Sequence, residues 1–302
     1  MAWYGERWRL TGPAEDDYSA ARMSEEADRL KWQRATSGFK RARSNLLVAL
    51  ITLTIGAWAL TLYQALEMSV PMDIAVRGGV TSDGMGGMAM AGMPAGGWSL
   101  AGATTFVALW TVMMAAMMLP AAGPMILIFA SAQAQRSGDA VVPTWVFIAG
   151  YLLVWALAGV LVYGAVQTGS DIATQLAPLE RARWAPLALG ATLVTAGLYQ
   201  FTPIKRICLT RCRSPFAFVA LYWRDGRLGA LRMGLQHGAY CLGCCWALFA
   251  VLVAAGVMSL AWMLLLTGVV FVEKVLPYGP RAASLIGLAL VALGLGVGSG
   301  AV

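Results

Sequence analysis

Four side chains that bind soft metal ions lie within nine residues, inside the apolar stretch Arg232–Leu252. They are the only histidine and three of the five cysteines: His237, Cys241, Cys244 and Cys245. On a helix, with His237 set at zero, the three cysteines fall at about 40°, about 340° and about 80°. Thiolates and imidazole suit Cu(I), Zn(II) or an iron–sulfur centre. The spacing therefore predicts a soft-metal site on one helix face, with structural or redox thiols as the alternative.

A single helix cannot readily close a tetrahedral site, so a second element is expected to supply ligands. Cys208 and Cys212 are candidates, because their i, i+4 spacing puts them on one side of a short helix. Basic residues surround both cysteines between Lys205 and Arg213. The alternative interpretation is a basic patch that contacts anionic lipid headgroups.

Paired methionines in the segment Trp110–Pro120 form another candidate set. They stack one turn apart as two pairs, Met113 with Met117 and Met114 with Met118. Thioethers select Cu(I) over harder ions, although methionine is also a common core residue. A stripe of sulfur beside a Cys/His helix therefore predicts either further ligands or ordinary packing.

A glycine-rich loop carries a second group of methionines, which form the weakest candidates: Met85, Met88, Met90 and Met93. Apolar methionines have no packing reason to gather in a flexible, solvent-facing loop. The loop, residues 67–99, is expected to collect Cu(I) outside the cell membrane or to lie on the membrane surface.

The elements that position these residues are predicted to be transmembrane helices. The chain of 302 residues is 59% hydrophobic and only 12% charged, whereas a soluble domain carries about 25% charged residues. Seven apolar segments approach the length that crosses a bilayer. They span about 45–66, 100–119, 143–167, 185–202, 233–255, 258–273 and 282–300. An extension of the second helix to Ala130, kinked at Pro120 and Pro124, is an alternative. We expect an all-α bundle over 44–302, preceded by a polar cytoplasmic tail, 1–43.

The distribution of basic residues predicts how this bundle is oriented. With the N-terminus inside, nineteen of the 22 Lys and Arg residues lie on the cytoplasmic side. Only Arg77, Arg181 and Arg183 lie outside. Because positive charge collects in cytoplasmic loops, we expect seven spans in the inner membrane and no binding of nucleic acid. Five cysteines, an odd number, indicate reduced thiols rather than a disulfide framework.

Two charged residues, Glu273 and Lys274, close the sixth apolar segment. Adjacent opposite charges there are typical of the membrane interface, and a proton relay through Glu273 is the alternative. Phosphate-binding and dinucleotide motifs, a zincin pattern and a nucleophile elbow are missing from the sequence. A single histidine excludes a multi-histidine copper or iron oxidase site, so we expect a protein that is not an enzyme.

With these motifs in hand, the chain resembles the predicted metal-binding integral membrane protein family of bacteria, from about residue 100 onward. The similarity lies in the paired methionines, in Tyr199–Arg206 leading into Cys208, and above all in Gly234–Trp246, with its pattern Gly-x-x-His-Gly-x-Tyr-Cys-x-Gly-Cys-Cys-Trp. The resemblance implies a polytopic metal-binding protein related to membrane copper chaperones. It assigns ligand roles to His237, Cys241, Cys244 and Cys245, and it leaves the other cysteines and the paired methionines as further candidates.

The combined expectation is a membrane protein that binds Cu(I), with zinc as the other possible ion, and delivers it to a copper-dependent enzyme or another copper carrier. Membrane lipid is its other expected partner. Three rival functions stay open: a metal ion transporter, a thiol redox protein that uses Cys244 and Cys245, and a structural subunit of a larger membrane complex.

Overall fold

The computed structural model describes residues 44–63, 98–137, 141–255 and 260–300, and every regular element in these ranges is an α-helix. The all-α prediction is thus confirmed for this part of the chain. The chain divides into two units, Met1–Asn45 and Leu46–Val302, and the second contains the helical bundle. The predicted cytoplasmic tail, nearly all of the Met-rich loop and the predicted tight turn near Gly256 lie outside the described residues.

The described ranges contain nine helices. They are α1 (Ser44–Tyr63), α2 (Leu100–Ser137), α3 (Val141–Gln175), α4 (Pro178–Tyr199), α5 (Pro203–Arg213), α6 (Pro215–Tyr222), α7 (Gly226–Ala255), α8 (Leu260–Val275) and α9 (Gly279–Ser299). The second apolar segment continues through Pro120 and Pro124 as one helix of 38 residues. Thr202 caps the N-terminus of α5, because its hydroxyl accepts a hydrogen bond from the Lys205 amide at 3.3 Å.

Five of these helices are long and apolar enough to cross a membrane: α1, α2, α3, α7 and α9. A sixth span is possible if α4 and α5, which meet at an angle of 65°, count as one broken span. The sixth predicted segment, 258–273, does not reach this standard, because the corresponding helix α8 has only 16 residues. By itself α4 is not among the candidate spans, and its first turns carry the charged residues Glu180, Arg181 and Arg183.

Large apolar side chains cover the outside of the bundle. Leu161 on α3 is 76% exposed, and Leu285 and Leu288 on α9 are 68% and 62% exposed. Leu179 on α4 and Leu228 on α7 are also exposed. In water, so much continuous apolar surface would promote association. These faces are compatible with insertion into lipid.

Close glycine contacts hold α7 and α9 against their neighbours. A Cβ atom on Gly150 of α3 would lie 2.6 Å from the carbonyl oxygen of Leu231 on α7, and one on Gly234 of α7 would overlap the Phe147 carbonyl of α3. Gly197 of α4 approaches the Gly287 carbonyl of α9 in the same way. Small residues let helix backbones approach closely in membrane bundles. As a result, the cysteine-bearing face of α7 is enclosed by other helices.

Candidate metal centre

The four donors of α7 all point into the protein. Cys241, Cys244 and Cys245 are each 1% exposed, and His237 is 3% exposed. The Cys244 and Cys245 thiols both donate to the carbonyl oxygen of Cys241, at 3.1 and 2.8 Å. This local bonding satisfies two buried thiols and holds their sulfur atoms near the turn that begins at Cys241.

A second helix brings another sulfur to this turn. The Sγ atoms of Cys212 on α5 and Cys244 on α7 lie 4.0 Å apart. This distance is too long for a disulfide, whose sulfurs are about 2.05 Å apart. It falls within the range of about 3.8–4.6 Å expected for two sulfurs that share one ion at about 2.3 Å each. The structure therefore places a cysteine of α5 beside the α7 cysteines, and its role as a metal donor stays a prediction.

Polar side chains from two other helices contact the sulfur atom of Cys241. The Tyr151 hydroxyl of α3 lies 3.0 Å from its Sγ atom, and the Lys274 ammonium of α8 donates to the same sulfur at 2.9 Å. Lys274 also reaches the Sδ atom of Met118 on α2, at 3.7 Å. Four helices thus meet at Cys241, and a positive charge accompanies its sulfur atom.

His237 lies one turn before Cys241 and is enclosed by aromatic rings. Its ring stacks on Tyr151 and Phe147, with centroids 5.6 and 6.1 Å away, and Phe218 meets it edge-on at 5.5 Å. Its Nδ1 atom is buried without a hydrogen-bond partner among the described residues. Burying a nitrogen without a hydrogen-bond partner is costly. Because this nitrogen has no such partner in the described part of the chain, it is available as a metal ligand.

The other predicted sulfur donors occupy different surroundings. Cys208 also faces α7, where a Cβ atom on Gly243 would lie 2.8 Å from its Sγ atom. Met113, Met114 and Met117 are at most 5% exposed and belong to the hydrophobic core. Of the four paired methionines, Met118 is the one whose described contacts include the Cys241 environment. Met85, Met88, Met90 and Met93 lie outside the described residues.

In the described ranges, no three histidine, cysteine or carboxylate side chains are arranged so that they could hold one metal ion. Among these donors, Cys212 and Cys244 form a pair that joins two helices, with their Sγ atoms 4.0 Å apart. Such a pair, lined by further sulfur atoms, suits a soft monovalent cation that accepts few ligands.

Two residues of α5 contact the C-terminal end of α8. Lys205 and Glu273 form a buried ion pair with Nζ and Oε2 2.7 Å apart, and each side chain is 2% exposed. Arg213, at the other end of α5, donates to the backbone carbonyl of Glu273 and to that of Pro277. We call these three contacts the α5–α8 clamp. Because Cys212 lies inside α5, the clamp fixes the sulfur that faces Cys244.

The clamp changes the interpretation of Glu273. The sequence suggested that Glu273 and Lys274 lie at the membrane interface, but Glu273 is 1% exposed. Its charge is compensated inside the protein by Lys205, and its depth relative to the membrane interface stays a prediction. Tyr151, Lys205 and Lys274 are further parts of the site that sequence patterns did not indicate. The signal available in the sequence was the presence of charged residues at the ends of apolar segments. Residue spacing could not show which of these charged side chains contact each other in the folded protein.

These features define a class of protein: an all-helical chain, with several helices apolar enough to cross a membrane, that encloses a cluster of soft sulfur and imidazole donors. The family model of a copper chaperone, PpoB2, matches residues 107–297. This region is more than half of the chain and includes every donor of the cluster, and the chain belongs to this family. The copper-chaperone-like family expected from the motifs is therefore confirmed. No curated protein and no solved structure matches the chain.

Proposed function

We propose that this protein is an integral membrane chaperone that binds Cu(I) as its cargo and delivers it to a copper-dependent enzyme. The observation that carries the proposal is the 4.0 Å approach of the Cys212 and Cys244 sulfurs, which joins α5 to α7. Membership of a copper chaperone family supports the identity of the cargo and implies a copper-dependent recipient. The recipient takes the ion by ligand exchange, so the protein needs no catalytic group of its own.

The donor set supports Cu(I) rather than zinc. Structural zinc sites use four ligands in a tetrahedron, whereas Cu(I) is stable with few soft ligands. Cys212 and Cys244 supply the two principal ligands in this proposal. Cys241 lies in the same turn of α7 as Cys244, His237 lies one turn earlier, and Cys245 directly follows Cys244. These three residues serve as exchange partners during loading and release. Cys208 faces Gly243, and we assign it a smaller share of the binding.

The methionines are proposed to feed this site. Met118 contacts the same lysine as Cys241, so a thioether on α2 lies next to the thiol cluster. Met113, Met114 and Met117 continue the sulfur path along α2, within about one and a half turns of Met118. Met85, Met88, Met90 and Met93 would then offer the first, weak capture of Cu(I) from outside.

We propose further that the chain crosses the bacterial inner membrane seven times, with its N-terminus in the cytoplasm. The exposed apolar faces support insertion in lipid, and the excess of basic residues on one side supports the orientation. In this arrangement α8 is a short span that completes the bundle. Reporter fusions at each terminus test the topology, and a reporter that is active in the same compartment at both ends would contradict it.

The metal assignment is tested by the copper content of the purified, reduced protein. We expect about one Cu(I) per chain in the wild type, because one pair of thiolates binds one soft ion. The double substitution Cys212→Ser, Cys244→Ser removes both principal ligands and should abolish most of the copper. The matched control, Cys208→Ser, changes one cysteine on the same helix, and it should keep most of its copper.

Equal copper content in the wild type and the double variant would refute the assignment of the site. Equal losses in the double variant and in the Cys208→Ser control would show instead that any loss of a thiol from α5 disturbs the protein. Zinc that binds to the wild type more tightly than Cu(I) would refute the proposed cargo.

A further inference from the structure

Lys274 turns inward toward sulfur rather than outward toward water. Its Nζ atom lies 2.9 Å from the Cys241 Sγ atom and 3.7 Å from the Met118 Sδ atom. Cys241 is 1% exposed and Met118 is fully buried. A lysine near a helix end ordinarily extends its ammonium to the solvent. The ammonium of Lys274 instead brings a positive charge into the candidate metal centre.

The neighbouring carboxylate makes its hydrogen bond to a different cation. Glu273 directs Oε2 toward Lys205, at 2.7 Å, and the two form a buried pair with no net charge. Arg213 is directed at backbone carbonyls of the same segment. Among the described hydrogen bonds of Lys274, both acceptors are sulfur atoms. The Lys274 ammonium is therefore directed at the sulfur cluster rather than at a carboxylate.

A positive charge beside the thiols favours a cargo ion with one positive charge over a cargo ion with two. Two thiolates that bind one Cu(I) ion form a unit with a single net negative charge, and the Lys274 ammonium neutralises it. The same two thiolates with Zn(II) are already neutral, so the ammonium would leave a net positive charge in the bundle. Burying an uncompensated charge is costly in a protein interior, and more so at membrane depth.

We propose that Lys274 is a specificity-determining residue that selects a monovalent soft cation over a divalent one. It acts as the fixed counter-charge of the thiolate-bound cargo and is not itself a ligand. The inference rests on the proposed function, because it requires that these thiols bind the metal. It adds a role for a residue on α8, which contributes none of the cysteine or methionine donors.

The test compares the affinities of Cu(I) and Zn(II) in the purified full-length protein, each measured by competition with a chromogenic chelator of that metal. Lys274→Gln keeps a long polar side chain and removes its charge without adding a sulfur ligand. Its preference for Cu(I) over Zn(II) should fall at least about tenfold, equivalent to about 1.4 kcal/mol. Lys274→Arg keeps the charge and should preserve the wild-type preference within about threefold. Arg232→Gln removes a charge from an exposed position on α7 and should change nothing.

Three results would overturn the proposal. A wild-type preference in Lys274→Gln would show that the charge does not select the ion. Equal weakening of both metals in Lys274→Gln leaves the preference unchanged, and it would assign the lysine a structural role only. Cu(I) binding at the wild-type level in the Cys212→Ser, Cys244→Ser variant would refute the proposed site itself. That last failure can be told from the other two, because Lys274 is intact in this variant.

Discussion

Removal of Lys205 should destabilise the protein more than the loss of a surface charge would. Its ammonium lies 2.7 Å from Glu273 Oε2, and both side chains are 2% exposed. At an effective dielectric constant of about 20, the attraction over this distance is about 6 kcal/mol. Part of that attraction offsets the cost of taking both charges out of water. Measured losses on breaking such pairs are about 3–5 kcal/mol, because the remaining charge stays buried and unpaired.

The experiment uses Lys205→Met, followed by thermal unfolding of the purified protein in one detergent. A loss of about 3–5 kcal/mol should lower the midpoint on the order of 10 °C. The matched control is Arg206→Met, which removes a positive charge from the next residue of α5, where the side chain is exposed. A surface substitution of this kind should change the stability by no more than about 0.5 kcal/mol.

A second variant separates the ion pair from other roles of Glu273. Lys205→Met combined with Glu273→Gln removes both charges, so no uncompensated charge remains. It should therefore recover more than half of the lost stability. If Lys205→Met unfolds at the wild-type temperature, the pair does not stabilise the α5–α8 clamp. If the losses of Lys205→Met and Glu273→Gln, each measured alone, add up to the loss in the double variant, the two side chains do not stabilise the protein as a pair.

Two further predictions concern packing and thiol exposure. Gly234→Ala should lower the stability by about 1–3 kcal/mol, because its Cβ atom would overlap the Phe147 carbonyl; Gly268→Ala, with no atom within 4 Å, should stabilise α8 by up to about 1 kcal/mol. Equal unfolding midpoints for the two variants would contradict this helix packing. An alkylating reagent should rapidly modify at most the two partly exposed cysteines of α5 in the native protein, and all five after denaturation. Rapid native modification of the three α7 thiols would contradict their burial.

Much of the fold could be predicted from the sequence, because apolar segments of membrane length specify helices almost by themselves. The ranges of α1, α3 and α9 differ from the predicted segments mainly at their ends. The second helix runs much further, to Ser137, since the two prolines inside it do not end it. The span count was harder to predict: α8 is short, and α4 meets α5 at a bend. Hydropathy alone does not distinguish a short or broken span from a complete one.

The candidate site could be predicted only where its residues share a helix. Helical spacing placed the α7 donors on one face, and it placed Cys208 and Cys212 on one side of α5. Spacing does not show which helices are neighbours in space. The contacts that complete the site join residues far apart in the chain: Tyr151 meets Cys241 across 90 residues, and Lys205 meets Glu273 across 68.

The arrangement of charges around the sulfur cluster explains why two adjacent residues, Glu273 and Lys274, contact different helices. Glu273 and Lys274 follow each other in α8, yet the carboxylate is compensated by Lys205 of α5, and the ammonium is directed at Cys241 of α7. If Glu273 paired with its neighbour instead, Lys205 would be left uncompensated and the thiols would lose their counter-charge. The α5–α8 clamp therefore positions Cys212 and also leaves Lys274 available to the cargo. For this reason, Lys205→Met should reduce the preference for Cu(I) as well as the stability, because the carboxylate that it releases can compete with the thiolates for Lys274.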